Sequence, residues 1–463
     1  MKRLRLLFLL VLMVVMFPAL PDSVSGADIP GETKLVLTLD DAVLLGLSKN
    51  RTLEISRLDR QMADQKVRET WAEVLPKVST GFTYTRSLKS SILFFPDVFS
   101  GGTGSSFTPL EISADNAASA TIDLQQTIFK GTAIAGIRAA TIVRKISDEA
   151  YRNTQAAVVA DIKHSYFDAL ISRDQLRLIQ QSIDRWEEAR KDTQAMFRQG
   201  VAADIDTLKA FLSVENLRPD LIQAEHRVGY TMTKLKNAMG ISQDSEVLLT
   251  GKLELSPKAY PDDIVSAYRE ALELRPDIHQ LELQVEAEDA KVFAAKAERF
   301  PVITAFGQLG SQTAFNDNSS FGDSAWPVSA SVGLQVSLPI FTGFRTSALV
   351  EQAKISRLQT RLRLEELKST ARAEVEVRLS GLRESQKRIS VQSKTIAVAE
   401  RSYKISLLRF REGVGSRLEL TEAELQLDKA KTNYLQAVYD YLVASVQLDK
   451  SLGRNPVPPP GKG

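Results

Sequence analysis

Two stretches, Ile128-Phe129-Lys130-Gly131 and Ile340-Phe341-Thr342-Gly343, decide the reading of this chain: they are one strand-to-helix junction written twice, 212 residues apart. The sequence around them doubles in the same way. Leu75-Pro76 returns as Phe300-Pro301, Phe197-Arg198-Gln199-Gly200-Val201 as Phe410-Arg411-Glu412-Gly413-Val414, and Met239-Gly240 as Leu452-Gly453, at offsets of 225, 213 and 213 residues. So long a period is a duplicated domain-sized unit, not a solenoid of short repeats. Length alone suggests about three domains. The duplication argues instead for two copies of one unit in a single architecture.

Before each junction the pattern has period two. Ala120, Ile122 and Leu124 alternate with Thr121, Asp123 and Gln125, and Val332, Leu334, Val336 and Leu338 alternate with Gly333, Gln335 and Ser337. Each strand therefore has one apolar and one polar face. Val78, Thr80, Phe82 and Tyr84 give a third strand, and 301–311 is the fourth. The expected spans are 76–87, 118–129, 301–311 and 328–341. Apolar-out, polar-in strands of about ten residues fit a membrane barrel; a sheet lying on a soluble core is the alternative. The stretches 88–117 and 313–326, rich in Gly, Ser and Asn, read as loops.

After each junction the sequence turns helical. No proline occurs from 111 to 218 or from 340 to 455. Helices are expected at 131–198 and 343–411, returning as 203–239 and 416–452; the first would be roughly 100 Å long at 1.5 Å per residue. Shorter helices, 39–49 with 52–74 and 263–274 with 277–299, precede the strands, and Pro76 and Pro301 stop them. The return helices carry apolar seams at alternating steps of three and four: Leu427, Ala430, Tyr434, Ala437, Tyr441, Ala444 and Leu448, and Val214, Leu217, Leu221, Ala224, Val228, Thr231 and Leu235. Such a repeat predicts coiled-coil packing. Pro219 predicts a kink in the first of them.

The ends and the composition bound the function. Lys2, Arg3 and Arg5, the apolar run Leu6–Leu20 and Ser25-Gly26-Ala27 mark residues 1–27 as a signal peptide; a membrane anchor is the alternative, although the run is shorter than a spanning helix needs. The repeats then occupy 28–240 and 263–453, joined by 241–262 and followed by a disordered tail, 454–463. The chain has no cysteine, so disulfides, thiolate metal sites, cysteine nucleophiles and a lipid-bearing cysteine are excluded. A net charge of +2 gives no footprint for nucleic acid. His164, His226 and His279 are scattered, no metal or nucleotide motif is present, and neither catalysis nor a cofactor is expected. Asp123 sits on the polar face of its strand, where it would line a pore. Four strands cannot close a barrel, since the smallest have eight, and open edges are intolerable in lipid. Several chains must share one barrel, with their long helices standing together on one side as a tube.

With these junctions, turns and paired strands in two copies, nearly all of the mature chain resembles the TolC-like outer-membrane efflux proteins. The resemblance implies a homotrimer: a twelve-stranded outer-membrane barrel in lipid, continuous with an α-helical periplasmic tunnel. It implies docking on a periplasmic adaptor (membrane fusion) protein and an inner-membrane pump or ABC translocase, in tripartite efflux or type I secretion from a Gram-negative cell. A periplasmic adaptor and a structural coiled-coil envelope protein are the competing classes. By the same resemblance, Gly200, Val201, Gly413, Val414 and Ser416 form adaptor-docking tips, and Glu419 and Glu422 form an acidic ring that constricts the entrance. Local chemistry offers alternatives. Ser416 and Glu419 also match a capping box, Glu422 suits a helix's first turn, and Asp204 could cap the first-half turn.

Overall fold

The structure, a computed structural model, describes residues 35–89, 92–96, 107–111, 114–255, 259–319, 321 and 324–454. The expected signal segment and the tail beyond residue 454 lie outside the described residues. The first half runs β1 (Leu35–Leu37), α1 (Leu39–Lys49), α2 (Arg51–Trp71), β2 (Lys77–Arg86), β3 (Ile92–Pro96), β4 (Phe107–Glu111), β5 (Asn116–Phe129), α3 (Gly131–Arg198), α4 (Asp204–Glu215) and α5 (Arg218–Met239). After β6 (Val247–Leu249) the second half runs α6 (Ile264–Leu274), α7 (Pro276–Ala297), β7 (Val302–Phe315), β8 (Val328–Ser337), α8 (Arg345–Arg411) and α9 (Arg417–Ser451). Among the described helices none is long and apolar enough to cross a membrane.

The period-two segments assemble one antiparallel sheet in the order β2-β5-β7-β8. Its register gathers Val78, Leu124, Ile122, Leu309, Leu334 and Val336 on one face, and Ser79, Asp123, Gln308 and Gln335 on the other. The apolar face is bare: Val332 is 90% exposed. On the polar face Gln308 donates to Asp123 at 2.8 Å. Phe306 also points there and covers Gly333, where an added Cβ would meet its ring at 2.6 Å. Among the described residues, the outer edges of β2 and β8 have no partner strand.

Several elements differ from expectation, each for a local reason. The stretch 88–117 is not simply a loop, since it contains the β3–β4 hairpin; Pro96 and Pro109 had hidden it. β7 reaches Phe315, four residues past the expected end, because β5 begins at Asn116 and pairs with it there. β8 stops at Ser337 because Pro339 cannot donate to the ladder. Ile340, Phe341 and Phe344 then run exposed through a left-handed turn at Gly343 and Phe344, and α8 starts at Arg345. The expected kink at Pro219 is a break into two helices, with Pro219 in the first turn of α5.

The long helices cross a common core. Leu37, Val43, Ile162, Tyr166, Leu235, Met239, Leu379, Leu448 and Leu452 pack there, beside the parallel pair β1–β6. The duplication is most literal at this level. Gly240, with φ 74°, presses on the α1–α2 junction, where a Cβ would lie 2.4 Å from the Lys49 carbonyl oxygen. Gly453, also at φ 74°, presses on the α6–α7 junction, where a Cβ would lie 2.5 Å from the Leu274 carbonyl carbon. Only glycine allows both that φ and that approach. Asn50 Nδ2 donates to the Ala238 carbonyl at 2.7 Å, and Arg275 donates to the Ser451 carbonyl at 3.1 Å. Each bond ties a return helix to its neighbouring junction.

Candidate functional site

The helical hairpins turn at the end remote from the sheet, and both turns obey one rule. Gly200 and Gly413 end α3 and α8 in the left-handed conformation, at φ 75° and 74°. The amide of Val201 donates to Met196 O at 2.9 Å and that of Val414 to Arg409 O at 3.0 Å. These are Schellman closures, which satisfy the last helical carbonyls. The closure leaves both valines bare, 68% and 69% exposed. Gly200, Val201, Gly413 and Val414 thus form two matched blunt tips.

The tips differ in how the next helix starts. Ser416 caps α9, its Oγ accepting from the Glu419 amide at 3.1 Å. Only half of a capping box forms: the Glu419 carboxylate turns to Arg409 Nε at 3.1 Å, across the hairpin. Glu422, one turn on, is exposed. In the first half the residue before the helix is Ala203, which makes no side-chain cap, and Asp204 is the first residue inside α4. The sequence alternative of an Asp204 cap is therefore corrected.

Between the hairpins lies a cluster that the motif reading missed. Arg417 of α9, 8% exposed, stacks over Trp186 of α3 at 5.3 Å and Phe410 of α8 at 5.9 Å from the ring centroids. None of its guanidinium nitrogens has a hydrogen-bond partner. Glu424, two turns along α9 and 1% exposed, has both carboxylate oxygens unpartnered. Burial pushes Glu424 up to about 7, with Asp428 adding to the rise and Arg417 and Arg185 opposing it. Burial lowers Arg417, against the pull of Glu424 and Asp206. Around them Arg185 of α3 pairs with Asp428 of α9, and Arg411 of α8 pairs with Glu188 of α3 at 2.6 Å. A signal for this cluster did exist. Stepping back from Leu427 by three, four and three residues lands on Glu424, Leu420 and Arg417, so two ionisable residues sit on the seam face.

A second polar centre lies at the core level. Asp168 of α3 accepts from Lys234 of α5 at 2.8 Å and from the Tyr439 hydroxyl of α9 at 2.5 Å, with His164 at 3.3 Å. Burial would raise its carboxyl, yet these partners hold it well below the usual carboxylate range. Fully partnered, it ties three helices together. His164 thus works as a structural partner.

A family model described as outer membrane efflux protein matches residues 45–241 and 267–454, one block for each half. The chain is 25% identical over 313 residues to the probable efflux pump outer membrane protein TtgC of Pseudomonas putida, covering 66% of this chain and 62% of that relative. It is 23% identical over 334 residues to the alkaline protease secretion protein AprF of Pseudomonas aeruginosa, covering 71% and 68%. The match to TtgC thus spans less than two thirds of that relative's length. The fold is that of the Campylobacter jejuni CmeC outer membrane channel, with a TM-score of 0.73 at 17% identity over 95% of this chain and 94% of that one. The two matched blocks coincide with the two halves seen in the fold, and the chain belongs to the outer membrane efflux protein family.

Proposed function

We propose that three copies of this chain form an outer-membrane exit duct: a twelve-stranded barrel continuous with a periplasmic tunnel of helices. The observation that carries this is the sheet. It is apolar on one face, polar on the other and, among the described residues, open at both edges, and in lipid an open edge is untenable. Two copies would give eight strands, a barrel whose interior side chains fill it. Three leave a lumen, lined by Asp123, Gln308 and their neighbours. The helices carry matching unpartnered stripes. Val391, Val398 and Ile405 on α8, Leu418 and Leu425 on α9, and Ile205, Leu208 and Leu212 on α4 are all exposed. Their spacings of three, four and seven suit helix pairing between copies.

The duct passively conducts substrates from a periplasmic assembly to the cell exterior. With TtgC named for an efflux pump and AprF for protease secretion, the family relationship supports a tripartite efflux pump or a type I secretion system. The adaptor docks on the tips at Gly200, Val201, Gly413, Val414 and Ser416, beneath an inner-membrane pump or ABC translocase. Glu419 and Glu422 line the constriction there. The test is assembly. In mild detergent the protein should run as a trimer that heat converts to monomer, and it should form conducting pores in planar bilayers. A monomer that inserts into lipid and conducts would overturn the architecture. A soluble protein with no affinity for lipid would favour the adaptor or coiled-coil alternatives.

A further inference from the structure

Two buried, unpartnered ionic side chains on one helix face are costly. Removing a charge from water demands a partner, or the group neutralises instead. In the packed tip Arg417 has no hydrogen-bond partner and lies against aromatic faces, which a guanidinium tolerates. Glu424 has no hydrogen bond at all. The groups whose charge bears on it are Arg417 and Asp428 on α9, Arg185 on α3 and Tyr403 on α8; Glu188 of α3 and Arg411 of α8 act in turn on Tyr403, and Asp206 of α4 acts on Arg417. Arg185 is already engaged by Asp428, and Arg411 by Glu188. The first half carries nothing equivalent. At the 213-residue offset, Asp204 stands for Arg417 and exposed Phe211 for Glu424, while Trp186 stands for Ala399. The buried charges therefore belong to one tip of two.

We propose that Arg417 and Glu424 are positioning residues of the constriction: the packed second tip requires a neutral Glu424, and ionisation of Glu424 releases the first turns of α9 from Trp186 and Phe410. Those turns carry Glu419 and Glu422, so release moves the residues assigned to the constriction. The sign follows from linkage. A carboxyl whose pKa is higher when packed favours the packed form at low pH and loses that preference as pH rises through the packed-state value. The tip is shut on the acid side and loosens toward neutrality and above. For a packed value near 7 against an ordinary 4.5, the released-to-packed ratio rises about tenfold per chain between about pH 6 and about pH 8.

Only the consequence for conduction rests on the duct reading, so two readouts are used. Trp186 can be isolated by replacing the other two tryptophans, W71F and W326F. Its emission in the detergent-solubilised trimer should shift to the red as pH rises, whether or not the protein conducts. Planar-bilayer recordings over the same range should show open probability rising in step. Glu424→Gln should hold the emission blue and the open probability low and flat with pH. Arg417→Met removes the charge that opposes burial, and should move the midpoint to higher pH without abolishing the transition. A merely structural role would change tip stability but leave the midpoint in place. If Trp186 responds identically to pH in the wild type and in Glu424→Gln, the proposal is wrong. If Trp186 responds as expected but no pore forms, the positioning role in the tip stands and the duct reading falls.

Discussion

The two halves match closely at the core level and part company at the tips. At the core, Gly240 and Gly453 do the same job at the same φ, and Asn50 and Arg275 each tie a junction to the end of a return helix. Even there the chemistry differs. Asn50 is neutral and also caps α2. Arg275 is a buried guanidinium held by Asp277 and Glu374, both at 2.8 Å. At the tips the second half caps its helix with Ser416 and buries Arg417 and Glu424. The first half leaves its helix uncapped, breaks it at Pro219 and exposes Phe211. A duplicated chain keeps the contacts that fix the helices relative to one another. It is free to diverge where the helices end.

The comparison is broken most forcefully at the glycines. Gly200 and Gly413 have the same φ as Gly240 and Gly453 but nothing within 4 Å of an added Cβ. Alanine at either tip should therefore cost only left-handed strain, about 1–2 kcal/mol. Alanine at Gly240 or Gly453 adds overlap with backbone and should cost about 3–5 kcal/mol. Unfolding midpoints of the four variants in detergent would show it. Equal losses at all four positions would mean that close approach plays no part.

Next in size come the ties themselves. Arg275→Ala leaves Asp277 and Glu374 without their cation and should cost about 3 kcal/mol, at the low end for a buried pair because Glu374 is more than a third exposed. Asn50→Ala removes a cap and one hydrogen bond, for about 1–2 kcal/mol. If the two losses came out equal, the charged tie in the second half would be doing no more than the neutral one.

Two carboxylates, one half-buried and one buried, sharpen the contrast further. Asp168 has partners and is held low, whereas Glu424 has none and is pushed up. The stability that Asp168 supplies is present above its unfolded value near 4 and is lost as pH falls below that. Asp168→Asn should lower stability at neutral pH and flatten its acid-side decline. An acid profile identical in wild type and variant would show that the centre contributes nothing through its charge.

The architecture was open to inspection in the sequence because repetition and period survive without tertiary knowledge. Of the seam positions, Val214, Ala224, Thr231, Leu235, Leu427, Ala430, Ala437, Tyr441 and Leu448 are buried, and Leu217, Leu221, Val228, Tyr434 and Ala444 are half-buried. What escaped depended on partners distant in sequence. The end of β7 is set by Asn116, some 200 residues away, and the β3–β4 hairpin was masked by its prolines. At the tips the turn glycines show themselves through a positive φ that few other residues adopt. Arg417 and Glu424 carry no motif of their own, whereas Glu419 and Glu422 beside them match a capping box and a helix's first turn. A polar residue at a seam position announces itself only when the seam is traced to its end.

The smallest effect on stability, and the most specific on function, is expected at Glu419 and Glu422. Three chains would place six such carboxylates around the entrance, and their field should attract cations and repel anions. The structure divides the pair unequally. Glu419 is neutralised by Arg409 at 3.1 Å, with both side chains substantially exposed, so that bond stabilises the hairpin by no more than about 1 kcal/mol. Glu422 is exposed and makes no ion pair among the described residues, so more of such a ring's field should come from it. Glu422→Gln alone should thus reduce cation preference and weaken block by multivalent cations in planar bilayers more than Glu419→Gln alone. The double variant should go furthest, with the trimer's unfolding midpoint almost unmoved. If selectivity stays constant while Glu419→Gln lowers the midpoint, the acids serve the start of α9 and not the passage. Equal selectivity changes from the two single variants would mean that Arg409 releases Glu419 when the tips assemble.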